Sequence, residues 1–116
     1  MPRVVHFEVY GEAPERLIAF YTSVFGWQFE RWGPMEYWII RTGDGPGIDG
    51  GLGKARSPGV NTIDVPDVDA YLAKIQQAGG TVVAPKMTLP GIGYLAYFKD
   101  PQGNVFGIMT NNPAAK

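Results

Sequence analysis

One pattern of elements occurs twice in this chain of 116 residues, at a constant offset of 56 positions. Val4 answers to Val60, Val9 to Val65, and Gly51-Leu52 to Gly107-Ile108. In the first copy, VVHFEVY (4–10) has the β-branched and aromatic alternation of a strand. PERLIAFYTSVFG (14–26) has helical spacing, with Pro14 in the first turn, Glu15 at the positive end of the dipole and Gly26 at the exit. Leu17, Phe20, Tyr21, Val24 and Phe25 recur at three- and four-residue spacing, which predicts that this face of the helix is buried. WQFERW (27–32), EYWIIRT (36–42) and GIDGGLG (47–53) then read as three extended pieces, broken by Gly33-Pro34 and by Gly43-Asp44-Gly45-Pro46.

The second copy repeats this order. VNTIDV (60–65) is a strand. Asp67 caps a helix whose stripe is Val68, Leu72, Ile75 and Ala78, ending at Gly79. TVVAP, GYLAYF (93–98) and NVFGIMT (104–110) supply three more strands, the last entered through the turn Asp100-Pro101-Gln102-Gly103-Asn104. The expected architecture is α+β: two tandem βαβββ modules, eight strands in a curved mixed sheet, each helix covering one face while the other face lines a cavity. A duplicated ferredoxin-like sandwich with a flat sheet is the competing arrangement. The expected organisation is a single domain over 1–116, with module 1 at 1–53, a linker at 54–59, module 2 at 60–110 and a tail at 111–116.

Composition narrows the function classes. The formal net charge is -1 and the basic residues are scattered, so no stripe for nucleic acid is present. No apolar run reads as a signal peptide or a membrane span, and there are no cysteines, which excludes disulfides, thiolate metal sites and cysteine nucleophiles. The expected location is the cytoplasm.

Strand parity locates a polar cluster. His6 and Glu8 share one face of the first strand, Val5, Phe7 and Val9 the other; Thr62 and Asp64 share a face in the second copy. One imidazole beside carboxylates is a workable acid–base set, so His6 and Glu8 are the candidate catalytic residues. Thr62, Asp64, Trp38 and Tyr94, with Gly51 and Gly107, are the candidate ligand-lining residues. Trp27, Trp32, Trp38, Tyr37, Tyr94 and Tyr97 are too many for alternation to hide on one face, so some aromatic surface should line the cavity. Gly50, Gly51 and Gly53 in one strand imply sharp curvature, or close approach by a ligand or partner backbone.

Three stretches carry a family resemblance: HFEVY (6–10), AFYTSVFGW (19–27) and FKDPQGNVFGIM (98–109). In this order they resemble the vicinal oxygen chelate superfamily, which includes glyoxalase I, bleomycin-resistance proteins and extradiol dioxygenases. The run from Gly79 to Asn104 also resembles predicted enzymes related to lactoylglutathione lyase. The resemblance implies the two-module fold, a homodimer and a small-molecule ligand. It also implies four metal-ligand positions, which fall on His6, Gly51, Thr62 and Gly107. Only His6 carries a good donor, and a one-residue shift of register, bringing in Asp49, Asn61 or Asp64, still does not assemble three. No cofactor is therefore expected. Three functions stay open: a glyoxalase-like protein or enzyme acting on a small metabolite without metal, a ligand-sequestering protein of the bleomycin-resistance type, and a metal-dependent lyase or isomerase.

Overall fold

The computed structural model describes residues 2–116. The elements run β1 (Arg3–Gly11), α1 (Pro14–Phe25), β2 (Gln28–Arg31), β3 (Tyr37–Arg41), β4 (Asp49–Lys54), β5 (Val60–Asp64), α2 (Val68–Gln77), β6 (Thr81–Leu89), β7 (Gly93–Lys99) and β8 (Val105–Asn111). This is the βαβββ order twice, an α+β chain whose eight strands mix parallel and antiparallel pairing. Contacts divide it into two compact units, His6–Val60 and Asn61–Lys116, the latter joined by residues 2–5.

Within the first unit the strand order is β2-β3-β4-β1. β1 and β4 are parallel, with His6 opposite Asp49 and Glu8 opposite Gly51; β3 and β4 are antiparallel, with Trp38 opposite Leu52. Ile40 and Leu52 lie fully buried on the face toward α1, which packs against β4. Pro14 opens α1 without needing its absent N–H, and Gly26, in the left-handed region at φ 73°, closes it with its N–H on the Thr22 carbonyl at 3.0 Å. The expected burial of the α1 stripe fails at its C-terminal half, where Phe20, Val24 and Phe25 are 53%, 56% and 59% exposed. The turn at Gly26 is the reason. It folds Trp27 back onto Tyr21, stacked at 5.0 Å, and against Phe7 at 5.6 Å, so this indole fills the space beneath the helix end.

The second unit has the order β5-β8-β7-β6. Val65, Val68, Ala96 and Ile108 form its core, with Leu72 and Ile75 of α2 packed against them; Ala78, expected in the same stripe, is the exposed C-cap. Asp67 caps α2 as expected, its carboxylate accepting from the Ala70 N–H at 3.3 Å. β6 runs four residues beyond the expected end at Pro85, because two register shifts, between Val82 and Ala84 and between Ala84 and Met87, leave the proline out of the ladder. An edge strand tolerates this, since the missing N–H is not required. The turn before β8 is built on Asp100. One carboxylate oxygen accepts from the Gln102 and Asn104 N–H groups, both at 2.9 Å, and the other from the Asn104 side-chain amide at 2.8 Å. The Asn104 amide, followed by these N–H groups, holds the carboxyl below its ordinary range. Asp100 and Asn104 of the family-like motif thus have a structural role. The tail is docked as well: the Ala115 carbonyl accepts from the Gly91 N–H, and the Asn112 N–H donates to Ile92.

Candidate functional site

The polar cluster of the first unit starts from strand parity. His6 and Glu8 stand on the same face of β1, two residues apart. One oxygen of Glu8, Oε2, contacts Nε2 of His6 and also accepts from the Tyr37 hydroxyl at 2.7 Å. The carboxylate side chain is only 11% exposed, whereas the imidazole is 33% exposed. An ionised carboxylate has only acceptors, so in the His6–Glu8 contact Nε2 is the donor, and Nδ1 is the nitrogen left for a ligand. Glu8 therefore orients an imidazole that solvent, or a ligand, can reach. This is the arrangement a general base or a hydrogen-bonding anchor requires.

Tyr37 reaches Glu8 from two strands away. β4 separates β3 from β1, so the phenol must cross roughly 9.5 Å of sheet, two strand spacings. It can do so because β4 carries no side chain there. A Cβ on Gly51 would stand 1.7 Å from the Tyr37 hydroxyl and 3.0 Å from the Glu8 carboxylate. Gly53 similarly admits the ring of Tyr10, whose Cε1 lies 3.0 Å from where a Cβ would be, and on the opposite face Gly50 admits Phe7 at 2.8 Å. These glycines, expected to mark sharp curvature or close approach by a ligand or partner backbone, receive the chain's own aromatic rings.

The second unit fills the corresponding space in another way. Thr62 is opposite Gly107, which is also opposite Tyr97. A Cβ on Gly107 would meet the Thr62 hydroxyl and the Tyr97 ring, each at 3.1 Å. Thr62 is 3% exposed, buried against Gly107. Asp64 shares its face and is half-buried, bordering a shallow recess with Pro66, Thr110 and Asn111. The two modules differ in register by two residues. His6 is opposite Asp49, but its counterpart Thr62 is opposite Gly107 rather than Val105.

The two aromatic residues expected to line the cavity, Trp38 and Tyr94, lie on the helix-facing side, where Tyr94 borders a recess with Asp67, Asp69, Lys86 and Thr110. Trp38 lies beside Ile40 on the helix-facing side, opposite Leu52, with the Arg31 guanidinium 5.1 Å from its ring centre. Tyr94 packs against the α2 core, with the Lys86 ammonium 4.9 Å from its ring. That ammonium donates to Asp69 at 2.8 Å, and this hydrogen bond raises the Lys86 pKa. The neighbours Tyr37 and Tyr97 occupy the polar face instead. In both modules the core claims the register that buries Ile40 or Ala96, and this fixes the parity of the tyrosines. Trp32, 47% exposed, meets Tyr37 edge-on at 6.1 Å and adds an aromatic flank to the cluster. Sequence reasoning missed Tyr37; the signal was a tyrosine on β3 facing a glycine-rich β4.

A divalent cation does not fit these residues. Two of the four implied ligand positions are glycines whose side-chain space is already filled, and Thr62 is buried against Gly107. Asp49, one of the three register alternatives, is taken by the Thr42 N–H and hydroxyl, at 2.9 and 3.1 Å. Among the described residues no three His, Cys, Asp or Glu side chains gather as a metal site.

The fold and the motifs define the class. The chain belongs to the Glyoxalase/Bleomycin resistance protein/Dioxygenase superfamily, whose sequence profile matches residues 3–108. Among named proteins it is similar to CFP32 of Mycobacterium bovis and Mycobacterium tuberculosis, provisionally named a glyoxylase, with 32% identity over 114 residues, 91% of this chain. The chain spans only 43% of that relative's length. A superfamily member from Vibrio splendidus matches at TM-score 0.70 and 18% identity, covering 96% of this chain and all of the other. The Mn(II)-bound glyoxalase of Novosphingobium aromaticivorans matches at TM-score 0.65 and 23% identity, covering 99% of this chain and 41% of that one. Both likenesses concern the fold. Among the described residues, no helix is long and apolar enough to cross a membrane.

Proposed function

We propose that this chain binds a small metabolite, and acts on it without a catalytic metal, through the imidazole of His6 oriented by Glu8. One observation carries the reading: a solvent-reachable imidazole is fixed by a nearly buried carboxylate that the Tyr37 phenol also holds. Such a group takes up a proton at Nδ1, and once protonated donates a hydrogen bond from that nitrogen to a carbonyl or carboxylate ligand. Trp32 beside Tyr37 supplies apolar surface for a flat ligand body. This exposed indole also favours a second reading, a sequestering protein that binds and does not turn over. A metal-dependent lyase is the weakest of the three, because the donor set is missing.

Tryptophan fluorescence against a panel of aromatic and aliphatic carbonyl and carboxylate compounds tests the proposal. Saturable quenching is expected for at least one compound, with affinity at least about tenfold weaker in His6→Ala, the scale of one lost charge-assisted hydrogen bond. Quenching that His6→Ala leaves unchanged would show that the site lies elsewhere. A stoichiometric divalent ion in the purified protein would reinstate the lyase.

The proposed active species is a homodimer. The resemblance to the superfamily implies this pairing. The exposed Phe20, Val24 and Phe25 on α1 are apolar surface that a second copy would cover. Sedimentation at micromolar concentration should give twice the chain mass; a single species of chain mass rejects the dimer.

A further inference from the structure

We propose that Tyr37 is the positioning residue of the His6 imidazole, and that Gly51 is glycine in order to admit it. The space that a side chain on β4 would occupy holds the Tyr37 phenol, which fastens Glu8 from the far side of the strand. Only the functional consequence of this inference rests on the reading of His6 as the ligand-binding group; the geometry stands apart from it.

The argument is one of constraint. Glu8 can rotate about its side-chain bonds, and a carboxylate held by a single donor samples more than one rotamer. Two donors converging on the same oxygen, one from β1 and one from β3, leave it one position. His6, one-third exposed, has this carboxylate as its hydrogen-bond partner and takes its orientation from it. The Tyr37 ring is itself braced by the edge contact with Trp32. The chain of contacts therefore runs from Trp32 through Tyr37 and Glu8 to His6. Gly51 is the gap that allows the crossing, since even a methyl group there would stand 1.7 Å from the phenolic oxygen. The ring can yield to such a methyl group only by leaving Glu8.

His6 is the chain's sole histidine, so ring-15N-histidine labelling gives one imidazole to observe by NMR. At one fixed pH, the wild-type protein should show widely separated Nδ1 and Nε2 shifts and a slowly exchanging Nε2–H proton, the signature of a fixed tautomer. Tyr37→Phe removes the hydroxyl and keeps the ring. It should collapse the separation toward the average of two tautomers and lose the Nε2–H signal, while the dispersed backbone spectrum stays in place. Gly51→Ala should do the same by displacing the phenol. Unchanged His6 signals in either Tyr37→Phe or Gly51→Ala overturn the inference. A folded wild-type protein that binds no compound in the fluorescence panel but shows the fixed tautomer would sink the proposed function and leave this inference intact.

Discussion

Replacing Ile108 by alanine is expected to lower the unfolding free energy by about 3–5 kcal/mol, the upper part of the range for deleting a buried aliphatic side chain. Ile108 is 2% exposed at the centre of the second unit's sheet, opposite Ile63 on β5 and Ala96 on β7. The spread in such substitutions comes from how far the surroundings can collapse into the cavity. Here they can collapse little. Ala96 has no length to offer, and Val65 and Val68 are already buried in the same cluster. The loss would take a large share of the roughly 5–15 kcal/mol that a domain of this size commands. Urea unfolding should show a lower midpoint at unchanged slope. Leu52, the counterpart at the 56-residue offset, is fully buried and should behave in the same way in the first unit, whereas Ile48→Ala, at an exposed position, should cost under about 0.5 kcal/mol. A change of less than about 1 kcal/mol at Ile108 would mean that the core does not lie where these contacts put it.

Much of the fold is legible in the residues because local signals agreed with burial. Pro14, Gly26 and Asp67 mark helix ends through backbone chemistry that depends little on distant contacts, and each occupies the position its chemistry predicts. Parity on β1 is equally plain, since His6 and Glu8 alternate with apolar neighbours. Where two aromatic residues are consecutive, alternation says that they face opposite ways but not which way. Tyr37-Trp38 is such a pair, and the choice is made by Ile40 and Leu52 seeking the helix face. Tyr94 lies on the helix side for the same reason, through Ala96. The hydroxyl adds to the sorting, because the phenol of Tyr37 finds a carboxylate on the polar face. Pro85 reads as a strand end only until the bulges of β6 are known, and bulges leave no local signature in this stretch. The link from β3 across β4 to β1 was the least legible feature. It depends on the strand order and on a register that differs by two residues between the modules. The 56-residue repeat by itself would have made the two polar clusters alike, but one is a hydrogen-bonded imidazole and the other a buried threonine under a tyrosine ring.

Gly93→Ala should destabilise the protein by about 3 kcal/mol or more, at or beyond the usual range for overpacking a well-filled site. A Cβ at this position would lie 1.9 Å from the Thr110 carbonyl oxygen, 3.0 Å from the carbonyl carbon and 3.1 Å from the Asn111 Cα. All three are backbone atoms, so no side chain can swing aside. Gly93 is also paired on both sides, with Leu89 on β6 and Asn111 on β8, so β7 cannot shift away from β8 without disturbing the other ladder. Gly91, two residues earlier, separates the steric cost from the conformational one. Its φ is 74° and nothing lies within 4 Å of its would-be Cβ, so Gly91→Ala should cost only the left-handed penalty of about 1–2 kcal/mol. Thermal unfolding of the two variants side by side checks the difference. Gly93→Ala should melt several degrees below Gly91→Ala, consistent with the steep dependence of melting temperature on stability in domains of this size. Equal melting temperatures would show that β7 and β8 are not so closely apposed at Gly93, and that the glycine is there for its turn rather than for its missing side chain.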